Sequence, residues 1–63
     1  MDNLEKYKAN QKIQKKIFAI NNAMDLCYKE IESGSPLDAM DTAQYIIRRI
    51  DEILKIVKEE INE

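Results

Sequence analysis

The sequence predicts an all-α fold: an antiparallel helical hairpin of two long helices, pairing with a second copy into a dimeric four-helix bundle. Three observations predict it. Apolar residues recur every three to four positions on both sides of one short breaker. The left run is Ile13, Ile17, Ile20, Met24, Cys27 and Ile31; the right run is Met40, Ala43, Ile47, Ile50, Leu54, Val57 and Ile61. Such a seven-residue repeat marks helices that pack along a seam. The chain's single Gly and single Pro both fall in the breaker, Ser33-Gly34-Ser35-Pro36. Finally, the second helix carries more apolar surface than a two-helix seam uses.

Helix 1 is expected over about residues 3–32. Asp2 or Asn3 caps it, and Glu5 suits the positive end of the helix dipole. Neither Pro nor Gly interrupts the next thirty residues. At 1.5 Å per residue that is a rod of about 45 Å. Gly34 supplies the positive φ that ends many helices, so the turn covers residues 33–35. Ser35 is a good N-cap, Pro36 fits the first helical position, and Asp38 falls in the first turn. Helix 2 then runs over about residues 36–61. A linker this short makes the helices antiparallel neighbours, and residues 1–63 form a single helical-hairpin domain.

In heptad terms, Asn10, Ile17, Met24 and Ile31 are the a positions of helix 1; Ile13, Ile20 and Cys27 are d. In helix 2, a is Met40, Ile47, Leu54 and Ile61, and d is Ala43, Ile50 and Val57. Folding at Gly34 pairs these as layers, from Ile31 with Met40 and Cys27 with Ala43 out to Ile13 with Val57 and Asn10 with Ile61. Asn10 has two readings: a polar residue that sets register or oligomeric state, or the place where helix 1 splays. Ala39, Ile46 and Ile53 form a flanking stripe, expected as the dimer interface because a lone hairpin leaves it wet.

Size favours association. A chain of 63 residues hides only about 60% of its unfolded surface, so a lone core is marginal. One cysteine makes no internal disulfide, and without histidine it makes no zinc site. Charged residues are 35% of the chain with a net charge of −2, which indicates neither a generic nucleic-acid binder nor an acidic mimic. The start, Met-Asp-Asn-Leu-Glu, has no apolar segment behind it, and no apolar run approaches the roughly 18 residues that span a bilayer. The expected setting is cytoplasmic, with no membrane. The bias to Ile, Lys, Asn and Glu points to an AT-rich genome: a bacterium, phage or plasmid.

No catalytic signature is present, so the chain is expected not to be an enzyme and to need no cofactor or metal. Cys27 is the one strong nucleophile, but it occupies a d position with no His to activate it. Asp38 and Asp41, with Asp25 or Glu30 across the turn, have the oxygen chemistry of a Mg²⁺ or Ca²⁺ site. Helix-start charge explains the same residues and is the preferred reading.

The residues of interest face away from the predicted seam. At 100° per residue, Lys8, Gln11, Lys15, Phe18, Asn22, Leu26 and Lys29 lie on the outer side of helix 1. Tyr45, Arg49, Glu52 and Ile56 are expected on the outer side of helix 2. An exposed Phe and Leu two turns apart, ringed by Lys, Asn and Gln, fit a partner-binding face. The alternative is that Phe18 and Leu26 cover a dimer flank. The favoured function is a small non-enzymatic regulatory protein that binds and modulates a protein partner. The other class is RNA binding, with lysines on phosphates and Phe18 stacked or wedged. In this respect the layout resembles the plasmid-encoded Rop hairpins over the whole chain, with Phe18, Asn22 and Lys29 similar in kind. That resemblance implies a four-helix dimer that binds paired RNA loops with helix 1. Short sporulation-type aspartyl-phosphatase hairpins are similar in size, but their Ser-Gln-x-x-Asp motif is absent. The nearest stretch, Ala43-Gln44-Tyr45-Ile46-Ile47, lacks both the Ser and the Asp.

Overall fold

The computed structural model describes residues 3–61, so Asp2 and Glu63 lie outside the described residues. It contains two helices, α1 (Asn3–Glu32) and α2 (Pro36–Ile61), packed against each other as a hairpin. Gly34 makes the reversal. Its φ is +78°, the left-handed region that side-chain-bearing residues avoid. The Gly34 amide donates to the Ile31 carbonyl at 3.1 Å, and the Ser35 amide donates to the Glu30 carbonyl at 2.8 Å. These are the two bonds of a Schellman cap, and they satisfy carbonyls that the end of α1 leaves open. Ser35 starts α2 at once: its carbonyl accepts from the Ala39 amide at 3.1 Å. The Ser33 hydroxyl donates back to the Glu30 carbonyl.

The seam differs from the predicted layers. On α1 the half-buried stripe is Ala9, Ile13, Lys16, Ile20, Ala23, Cys27 and Glu30. On α2 the covered stripe is Ala39, Thr42, Ile46, Arg49, Ile53, Ile56 and Glu60. Both keep a seven-residue repeat. Relative to the predicted seam, α1 is turned by about half a residue step and α2 by a full step, about 100°. Cross-helix contacts fix the new register. The Cys27 thiol donates to the Ala39 carbonyl at 3.6 Å, and Thr42 Oγ1 donates to Glu30 Oε1 at 2.6 Å. Lys16 Nζ donates to Glu52 Oε2 at 2.7 Å.

The flanking stripe expected to meet a second copy already contributes to the hairpin itself, although Ile46 also borders the open apolar groove. Ala39, Ile46 and Ile53 are part of the hairpin's own seam, and Ala39 is 3% exposed. Small side chains explain the choice. Ala9, Ala23 and Ala39 let the backbones approach, while the stems of Lys16 and Arg49 fill the gaps between them and carry their charges to the edge.

The d residues Ile13, Ile20 and Cys27 keep their place in the seam, but the a residues and Ile50 do not close on each other. Ile17, Met24, Ile31, Met40, Ile47, Ile50, Leu54 and Ile61 are all exposed, from 45% for Ile17 to 75% for Ile61. The molecule is a flat rod of 48 × 17 × 10 Å, a single layer of helices where a domain ordinarily has at least two. Its radius of gyration is 14.7 Å, against about 10.6 Å for a compact chain of this length.

Candidate functional site

The hairpin has two unlike broad sides. The first is apolar. Ile20, Met24, Cys27, Tyr28 and Ile31 of α1 form one shallow groove with Ile46 and Ile50 of α2. Almost nothing polar enters it. Heptad spacing continues this side along α2 through Leu54 and Val57 to Ile61, and along α1 through Ile17 to Ile13. Cys27, expected in a closed core layer, is half-buried at the edge between seam and groove.

The opposite side is polar and basic. Lys12, Lys15, Lys16 and Ala19 of α1 face Tyr45 and Arg49 of α2 across a shallow depression. Tyr45, Arg49, Glu52 and Ile56, expected on the far side of α2, are instead half-buried alongside α1. Glu52 is the centre of a small network. It accepts from Lys16, and Arg49 Nη1 spans both its carboxylate oxygens at 2.6 and 2.8 Å. These bonds, with Lys16 first, hold the Glu52 carboxyl at about 2, well below its usual range. The Arg49 guanidinium is raised in turn, chiefly by its bond to Glu52, and its Cζ sits 4.8 Å from the Tyr45 ring centre. That is the geometry of a cation–π contact. The network ties the middle of the two helices together.

Of the predicted partner-binding residues, Lys8, Gln11, Lys15, Phe18, Asn22, Leu26 and Lys29 are all exposed. Lys8, Gln11, Lys15, Phe18 and Leu26 border different shallow hollows along α1. Phe18 is 69% exposed and sits with Gln11, Gln14 and Lys15. Leu26 lies a little further on, beside Ala23, Asp41, Thr42 and Tyr45. Lys8 belongs to the open end, with Glu5, Ala9, Lys12, Ile56 and Glu59. Sequence reasoning missed that Tyr45 and Arg49 join α1's basic residues on one side. A signal was available in the spacing of Thr42, Arg49 and Ile56, which matches that of Ala39, Ile46 and Ile53.

The carboxylates near the turn do not converge. Among the described residues, no three Asp, Glu, Cys or His groups meet as a cation site, and Glu30 is engaged by Thr42. No described helix is long and apolar enough to cross a membrane. Neither a protein-family model, a curated protein nor a solved structure matches the chain.

Proposed function

We propose that this chain is a non-enzymatic regulatory protein that works as a homodimer. Two hairpins close over their apolar sides as a four-helix bundle, and the bundle offers the outer side of α1 to a protein target. One observation carries the reading: the a residues Ile17, Met24, Ile31, Met40, Ile47, Leu54 and Ile61 of the two helices, with Ile50 of the d set, are left exposed by the single hairpin. In a four-helix bundle those positions point at the common centre, which a lone hairpin does not have.

Surface area supports the same reading. The chain exposes 5067 Å². A compact monomer of 7.4 kDa exposes about 4,200 Å². The excess, roughly 850 Å², is close to the ~800 Å² that each partner loses in a standard interface. A partner for the outer side needs an apolar pocket for Phe18 and carboxylates at its rim for Lys8, Lys15 and Lys29. The proposed setting is the cytoplasm of a bacterium, or of one that carries the phage or plasmid encoding the chain.

The test is affinity capture from the native host with the intact chain and with Phe18→Ala, both first shown to be equally helical and equally dimeric. The proposal expects a protein target that the intact chain retains and Phe18→Ala loses. Recovery of RNA alone, with retention falling steeply as salt rises, would replace it by the Rop-like reading. Loss of helicity in Phe18→Ala would show that this ring supports the fold and would sink the proposed face.

A further inference from the structure

We infer that the second copy packs turn to open end, so that the Gly34 turn of each hairpin lies beside the chain ends of the other. This rests on the dimer reading above and adds its direction.

The first argument is the composition of the apolar side. Near the turn both helices supply it, through Ile31 and Met40. Beyond Ile13 and Ile17, at the open end, only α2 does, through Ile61. On α1 the heptad places Lys6 at d and Asn10 at a, each seven residues before Ile13 and Ile17. Turn-to-turn pairing would set the two Lys6 ammonium groups in one layer and the two Asn10 amides in the next. Like charges so placed repel, and each loses water without gaining an opposite partner. Turn-to-open pairing separates them. It brings Lys6 level with the other copy's turn, where Glu32 is exposed and the net charge is negative.

The second argument is the charge along the rod. Around the turn stand Asp25, Glu30, Glu32, Asp38 and Asp41 against Lys29. The first half of α1 carries Lys6, Lys8, Lys12, Lys15 and Lys16 against Glu5. Asp2 and Asp51, Glu52, Glu59, Glu60 and Glu63 more than offset that excess, but with Arg49, Lys55 and Lys58 the open half of the sequence still comes to +1, while the turn half, Arg48 included, comes to −3. Two such rods attract when reversed and repel when aligned. Complementary fields of this kind choose orientation even where they add little affinity.

The test places nitroxide labels on the intact chain, with Cys27→Ser to remove the native thiol. Lys29→Cys puts a label on the exposed side of α1 near the turn. In the proposed pairing, residue 29 of each copy lies about eleven residues from the centre on opposite sides. At 1.5 Å per residue the axial offset alone is about 35 Å. Turn-to-turn pairing has no axial offset and leaves only the bundle width, about 20 Å between backbones. Pulsed dipolar spectroscopy should therefore give the long distance for Lys29→Cys alone. A mixture with chains labelled at Lys8→Cys should add a short one. A short distance for Lys29→Cys alone would overturn the direction. The absence of any intermolecular distance at concentrations where the intact chain is folded would instead overturn the dimer on which it rests.

Discussion

Met24→Ala separates the apolar side from the rest of the molecule. Met24 is 56% exposed in the single hairpin and lines the groove between the helices. Truncating it removes little that one hairpin holds together, and Ala is at least as good a helix former as Met. In the dimer the exposed half of each Met24 becomes buried. Full burial of such a side chain is worth about 1.5–3 kcal/mol, so the newly covered part is worth about 1–1.5 kcal/mol per copy. Two copies lose it together, giving about 2–3 kcal/mol per dimer, or roughly a 30- to 150-fold weaker association. Because Ala39 is the one described residue that is fully covered in a single hairpin, dissociation and unfolding should coincide. The assay is circular dichroism melting at several chain concentrations. The intact chain should melt higher as concentration rises. Met24→Ala should melt lower at every concentration, by the amount equivalent to that shift in association. An unchanged, concentration-independent melt in both proteins would refute the reasoning, since Met24 would then be a wet residue on a self-sufficient hairpin.

Three further outcomes follow from the geometry. Gly34→Ala adds a Cβ into open space, with no atom within 4 Å, so its whole effect is the dihedral strain at φ +78°. It should destabilise the hairpin by about 1–2 kcal/mol, read as a lower melting temperature, with Gly34→Asn milder. Ala39→Leu forces bulk into the one described position that a single hairpin fully covers, beside the Cys27 thiol. Overpacking of that kind costs about 1–3 kcal/mol, and equilibrium denaturation should show it. Glu52 has its folded pKa depressed to about 2 from an ordinary 4.5, with its bond to Lys16 the leading cause. Its contribution is therefore complete above about 4.5 and is lost as pH falls toward 2. Glu52→Gln should be less stable at neutral pH and should show a flatter acid limb than the intact chain in a pH titration of helicity.

The hairpin was legible in the sequence because its signals are local. Gly34 and Pro36 punctuate two helical patterns, and the chain between them is too short for anything but reversal. Of the seam only Ile13, Ile20 and Cys27 were legible, for a physical reason. A heptad says which residues share a side of a helix; it does not say whether that side meets the sister helix or another layer. Read as a two-stranded seam, Ile17, Met24, Ile47 and Leu54 belong between the helices. The structure gives that place to Ala9, Ala23, Thr42 and the stems of Lys16 and Arg49, which carry little hydropathic signal. The Lys16–Glu52–Arg49 network was hidden in the same way, since only the rotation of α2 brings Glu52 to Lys16. Phe18 was placed on the outside in either register, because it lies nearly opposite both stripes of α1.

Sedimentation equilibrium of the intact chain at micromolar concentration tests the central claim most directly, that the exposed a and d residues are one half of a shared core. The account predicts a mass twice the 7.4 kDa of one chain, with full helicity. A fully helical species at the mass of a single chain would contradict it.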